Sequence, residues 1–307
     1  MGASDATAAD ILDVDLLGFE RGATTVRAAV VDGVMRSLAT GFVYCSHDLP
    51  ADLLDTAYGM LEEFFALDEG SKATAVAPGS HGQTGYTGRL VETAAVADVA
   101  DWKEMLNWGR TVPPGPPLRR RYPHQYADQV LPEALVPGIG EVLDRFHDQL
   151  ADLQRRFLRI VAVGLGADEA YFDTMVRDGA TLSRAIHYPP MAEAPGGAAG
   201  AHVWAAPHGD INLVTALPRA TARGLQVRIG PPGAQRWVDA LPPADHVVLN
   251  SGLMLERVTN GRLGAGWHRV VADPEQVGGR LSVVQFLHPT PWTVLAPLHT
   301  CVSPDRP

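Results

Sequence analysis

Apolar residues recur with helical spacing along three stretches of the chain. Between Thr24 and Leu38 they fall at Val26, Ala29, Val30, Val34 and Leu38, and from Ala51 to Leu67 at Leu54, Ala57, Leu61, Phe64 and Phe65. The longest stripe, from about Pro137 to Gly164, runs through Ile139, Val142, Phe146, Leu150, Leu153, Phe157 and Val161. Asp144, Arg145, Asp148, Asp152, Arg155 and Arg156 keep its other side wet, so it predicts a core-facing scaffold helix. Short strands are expected at Val14 to Leu17 and Gly41 to Cys45. Residues 68–128 carry many Gly, Pro and polar positions with little periodicity. Within them Ser80 to Arg89 reads as a loop, and Pro113-Pro114-Gly115-Pro116-Pro117 as a stiff connector.

From Thr181 onward the pattern changes to short β-prone runs separated by Gly and Pro. The expected strands are 181–188, 202–206, 210–217, 225–229, 236–240, 246–250, 253–258, 266–272 and 280–288, with turns at 218–223 and 231–235. Many short strands at this spacing suggest a sandwich or barrel closed by jelly-roll winding.

A length of 307 residues suffices for a large core without staples. The formal net charge of −10 argues against a nucleic-acid backbone as the main partner. The two cysteines, Cys45 and Cys301, have neither metal-ligand nor disulfide spacing, and are expected as reduced thiols. No signal sequence and no run long enough to span a bilayer is evident, which predicts a soluble cytoplasmic protein.

The candidate chemistry lies in residues 201–217, AHVWAAPHGDINLVTAL. On a strand, side chains at i and i+2 share a face, so His208 and Asp210 can present a nitrogen and an oxygen to one point. His268 downstream adds a second imidazole, completing a set of two His and one carboxylate that can hold Fe(II) with positions left open. The H-x-D spacing taken alone also suits a hydrogen-bonded surface pair. Further on, Arg280 and Ser282 share a face of the run RLSVVQFLHP with Val284 and Phe286. A guanidinium beside a hydroxyl on an apolar face is an anchor for a carboxylate, although a strand-entry arginine paired with a surface acid would read the same.

Six short motifs then occur in one order: His208-Gly209-Asp210, Gly224 to Val227, Val247 to Asn250, Met254-Leu255-Glu256 with Thr259-Asn260-Gly261, His268-Arg269-Val270, and Arg280-Leu281-Ser282 with His288-Pro289. On these the chain resembles the non-haem iron, 2-oxoglutarate-dependent oxygenases of the isopenicillin N synthase-like superfamily. The resemblance implies an α+β, mainly β fold: a double-stranded β-helix (jelly-roll, cupin-like) core with N-terminal helices and the scaffold helix. It divides the chain into an N-terminal dioxygenase region (1–125), scaffold helices (126–178), the oxygenase core (179–290) and a C-terminal tail (291–307).

The resemblance further implies Fe(II) on His208, Asp210 and His268, and 2-oxoglutarate held by Arg280, Ser282 and Tyr188, with O2 as the oxidant. Oxidative decarboxylation to succinate and CO2 would drive hydroxylation, desaturation or cyclisation of a small metabolite, in a natural-product setting by analogy. Substrate contacts are expected among Tyr86, Arg89, Lys103, Trp204, Asn212, Leu213 and Phe286. His202, His246, His288 and His299 are expected as ordinary solvated or hydrogen-bonded imidazoles. The family's pattern is broken at Leu253, where an aspartate is common, and at Ile186, where plant relatives often have asparagine. The chain also stops soon after Cys301, where a closing helix is usual. Two other readings remain at this point. One is an iron oxidase that grips its own substrate with Arg280 and uses no 2-oxoglutarate. The other is a jelly-roll binding protein without catalysis. Oligomeric state is not legible.

Overall fold

A computed structural model describes residues 11–92, 99–112, 117–197, 203–231, 233–273 and 277–306. The connector residues 113–116 and His202 lie outside the described residues. Strand β1 (Asp13–Asp15) leads directly into α1 (Leu16–Arg21) and α2 (Thr24–Ser37). The strand expected to reach Leu17 therefore ends early, because Leu16 and Phe19, three apart, bury together on one helical face. Strand β2 (Phe42–Ser46), α3 (Ala51–Phe65) and α4 (Glu69–Ala73) follow.

The segment read as irregular then contributes β3 (Gly85–Thr87) and β4 (Glu104–Gly109), before the short α5 (Pro117–Arg121). Every residue of β4 is buried, so the strand shows no alternation of polar and apolar positions. The scaffold helix α6 (Ile139–Gly164) forms as expected and is followed by α7 (Asp173–Val176). Gly138, at φ 85°, starts α6 in a left-handed conformation, and the Glu133 carboxylate accepts the N–H groups of Gly138 and Gly140.

The C-terminal half supplies β5 (Leu182–Tyr188), β6 (Ala205–Gly209), β7 (Val214–Leu217), β8 (Leu225–Ile229), β9 (Arg236–Asp239), β10 (His246–Ser251), α8 (Leu253–Val258), β11 (Trp267–Val270) and β12 (Arg280–Leu287). Residues 253–258, expected as a strand, are helical. Leu255 and Val258 are buried three positions apart, and the N–H groups of Leu253 and Met254 bond to the carbonyls of Asp210 and Ile211. Those same bonds explain why the expected 210–217 strand begins only at Val214: residues 210–212 bend back to cap α8.

An eight-stranded sheet, ordered β1-β2-β10-β7-β12-β5-β4-β3, faces a four-stranded sheet, β6-β11-β8-β9. Together they form the jelly-roll core, and their inner faces line one cavity. Alternation along β12 sorts its residues: Arg280, Ser282, Val284 and Phe286 face that cavity, whereas Leu281, Val283 and Leu287 join the core under the helices. Helix α6 lies on the outer face of the large sheet. Gln154 donates to the carbonyls of Val214 and Gln285, and Trp108 donates to that of Leu143. Among the described residues, no helix is long and apolar enough to cross a membrane.

Candidate metal centre and its cavity

His208 on β6 and His268 on β11 are direct cross-strand partners in the antiparallel register, with ring centroids 4.3 Å apart. Each turns Nδ1 to a backbone oxygen, His208 to Ala206 at 2.8 Å and His268 to Gly266 at 3.3 Å. With Nδ1 so engaged, both Nε2 atoms point inward, and each lies 3.9 Å from Oδ1 of Asp210. One ligand atom from each of the three residues falls within 4.8 Å of the others. The second carboxylate oxygen, Oδ2, accepts Thr215 Oγ1 at 2.6 Å and Asn250 Nδ2 at 2.9 Å, which fixes Oδ1 toward the imidazoles. The bend that carries Asp210 is pinned by Gly252, where a Cβ would stand 2.0 Å from the Asn212 carbonyl oxygen.

The electrostatics suit a cation. Burial and the adjacent His268 push His208 down to about 4, so its imidazole is neutral at physiological pH. Burial would raise Asp210, but the two imidazoles and the donors Asn250 and Thr215 hold its carboxyl below the usual range. Two imidazole nitrogens and one carboxylate oxygen, oriented from behind and clustered on one side, fit an Fe(II) ion with positions open to the cavity.

Across that cavity lies the second charged element. Arg280 is 2% exposed, and donates from Nη1 to Ser282 Oγ at 2.7 Å and from Nε to the Ala222 carbonyl at 3.2 Å. Its guanidinium carbon lies 5.3 Å from the Tyr188 ring centre. Among the described residues no carboxylate pairs with Arg280; burial pulls its pKa down, and the guanidinium nevertheless stays charged. A buried cation of this kind calls for an anion.

The cavity opens beside the three ligand residues into a polar mouth where Lys103, Arg184, Asn212, Phe286 and His288 meet. Lys103, Asn212 and Phe286 were expected as substrate contacts, and they lie there. The other four lie elsewhere. Tyr86 faces the helical side of β3, where its hydroxyl donates to Glu104 at 2.5 Å. Arg89 pairs with Glu69 and stacks 5.1 Å from Trp102. Trp204 supports Tyr188 from behind at 5.5 Å and donates to the Pro189 carbonyl. Leu213 is fully buried in the core under the helices. Arg184, Glu92 and Thr215 escaped the sequence reading, and Asn250 and His288 fell within its motifs without a site role. Strand parity could have found two of the five: Arg184 precedes Tyr188 by four positions on β5, and His288 continues the face of Arg280 to Phe286.

A family model described as the N-terminal part of a non-haem dioxygenase in morphine synthesis matches residues 11–133, and one for the 2OG-Fe(II) oxygenase superfamily matches residues 180–289. A crystal structure of a 2OG-Fe(II) oxygenase family protein from Caulobacter crescentus is 30% identical, with a TM-score of 0.83 over 98% of this chain and 93% of that one. Full-length T7H from Neurospora crassa, in complex with alpha-KG, is 25% identical, with a TM-score of 0.83 over 98% and 92%. The 2'-deoxymugineic-acid 2'-dioxygenase of Hordeum vulgare is 26% identical over 87% of this chain and 71% of its own length.

Proposed function

The chain belongs to the 2OG-Fe(II) oxygenase superfamily, and from that premise we propose that His208, Asp210 and His268 hold Fe(II) while Arg280, Ser282 and Tyr188 receive 2-oxoglutarate. The protein is a 2-oxoglutarate-dependent non-haem iron dioxygenase acting with O2 on a small metabolite. The observation that carries the assignment of roles is the buried Arg280 guanidinium, without a carboxylate partner among the described residues, sharing one cavity with the three clustered ligand atoms.

When bound, Fe(II) and 2-oxoglutarate supply the oxidising power, with succinate and CO2 as by-products. The chain's own residues do the positioning. Arg280 takes the distal carboxylate, with Ser282 held against it to share the load. Asn250 and Thr215 keep one oxygen of Asp210 turned away, so the other stays aimed at the ion. Phe286 and the apolar faces of Val284 and Ile186 keep water from the reacting carbon. Relatives named for small metabolites support hydroxylation, desaturation or cyclisation of such a molecule, in natural-product metabolism. We further propose the division at 125, 178 and 290 as the working boundaries of the chain. A cytoplasmic setting is supported by Cys45 and Cys301, both buried as free thiols.

Anaerobic titration of the Fe(II)-loaded protein with 2-oxoglutarate tests the roles. A saturable visible charge-transfer band is expected. In Arg280→Ala the affinity for 2-oxoglutarate should fall on the order of 10- to 100-fold, the worth of a charge-assisted contact. Bound iron without a band would instead support an oxidase that grips its own substrate with Arg280.

A further inference from the structure

The mouth holds a carboxylate that is no part of the three-residue metal cluster. Glu92 reaches over two inward-facing cations, with Lys103 Nζ at 3.1 Å and Arg184 Nη1 at 3.3 Å from its two oxygens. The cations are otherwise held from the protein side. Lys103 is fixed by Asp101 at 2.9 Å, and Asp101 in turn accepts the Ala206 N–H of β6. Arg184 gives Nε to Asn107 Oδ1 at 2.7 Å, and Asn107 is itself turned by donating to the Gly85 carbonyl. Its Nη2 makes no hydrogen bond to a described residue.

Exposure divides the group sharply. The side chains of Asp101, Lys103 and Arg184 are 3%, 10% and 17% exposed, but that of Glu92 is 37%. The two cations are held from behind, and Glu92 covers them from the solvent side. Both cations line the same space as His208 and Asp210, and Arg184 lies 5.5 Å from the Phe286 ring. With Glu92 in place the four charged groups balance; with Glu92 swung out, the remaining three lack one negative charge.

We propose that Glu92 holds the place of a substrate carboxylate, so that the small metabolite oxidised here is an organic monoanion bound through Arg184 and Lys103. Its hydrocarbon part then extends along Phe286 toward the metal ligands. Exchange of one carboxylate for another keeps the mouth neutral and leaves neither cation without a partner, whereas an anion added beside Glu92 would meet a like charge. Arg184 is the selecting residue, because Lys103 keeps Asp101 when Glu92 leaves.

This rests on the oxygenase reading, and its test separates the two. Calorimetry under nitrogen on protein loaded with Fe(II) and 2-oxoglutarate, which occupies Arg280, measures binding of benzoate, of its neutral match benzamide, and of acetate as a carboxylate too small to be excluded by shape. Glu92→Ala removes an internal competitor and should tighten benzoate or acetate about tenfold. Benzamide should gain nothing, and Arg184→Gln combined with Glu92→Ala should abolish the gain. Carboxylate affinity unchanged by Glu92→Ala, or an equal gain by benzamide, overturns the proposal. The visible band with 2-oxoglutarate is expected in every variant; its loss in the wild-type protein would overturn the oxygenase reading instead.

Discussion

At the scale of single residues, the convergence of His208, Asp210 and His268 was legible and its orientation was not. His208, Asp210 and His268 stand out because two imidazoles and a carboxylate at strand spacing are rare in an apolar run. The groups that aim them are ordinary residues made important by contact: Asn250 lies next to the end of one strand and Thr215 within another, with no spacing that assigns either a role. Their donors converge on Asp210 Oδ2 only after β7 and β10 pair. Asn250→Ala is therefore expected to leave the fold intact and weaken Fe(II) binding on the order of 10- to 100-fold, as for other contacts behind metal ligands. Equilibrium dialysis of Fe(II) against the variant measures it. Lys103 and Arg184 teach the complementary lesson. The first was picked from a segment read as irregular, and the second was passed over in a strand correctly expected, because a cation's direction depends on parity rather than on its presence.

At the scale of elements, a buried charge cluster ties α4 to the edge of the large sheet. Glu104 of β4 accepts Lys72 Nζ at 2.7 Å, Tyr86 at 2.5 Å and His187 Nδ1 at 2.8 Å. Burial would raise Glu104, but the hydrogen bonds from His187, Lys72 and Tyr86 overcome it and hold the carboxyl at about 2. A carboxyl lowered on folding stabilises above its usual value of 4.5 and loses that contribution as pH falls from there toward 2. Urea unfolding of the wild-type protein should thus weaken steeply over that window. Glu104→Gln should flatten that part of the slope, and it should cost about 3–5 kcal/mol at neutral pH because Lys72 is left buried without its anion.

Helix α8 shows the opposite constraint, one of space. Gly252 has ordinary backbone angles, φ −103°, yet no room for a methyl group against the Asn212 carbonyl. Gly252→Ala should shift the bend carrying Asp210 and reduce Fe(II) affinity even if the thermal midpoint moves little. Binding by dialysis beside a melting curve separates those effects. A strand was expected where α8 lies because Leu253 to Val258 is apolar and short, and such a run suits either element until its cap is known.

At the scale of the whole molecule, α6 carries the large sheet on its back. Phe146, Leu150, Leu153 and Phe157 are all buried in the core between them. Phe157→Ala should cost about 3–5 kcal/mol, as large aromatic truncations in a core do, with the 2-oxoglutarate affinity of the folded fraction unchanged. Denaturant unfolding and the visible band report the two quantities. This level was the most legible of all: helical stripes and short β runs pointed to a sandwich or barrel, and the resemblance carried by the motifs made it a double-stranded β-helix. Missing were the edge strand β3 and its neighbour β4, one too short to show a period and the other buried on both faces.

Strand β5 divides the labour of the inner surface. Tyr188 sits at one end of β5 beside Arg280, and Arg184 sits two repeats of the pleat away in the mouth. Because the side-chain period is two, a one-residue slip in the register of β5 would turn both outward together, and an insertion between them would turn one. Replacing Arg184, by contrast, would change what enters and leave Tyr188 where it is. A laboratory search for new substrates in this scaffold should accordingly vary identity at inward positions of β4 and β5 and keep their lengths constant. Libraries that vary length belong in the segments off the sheets.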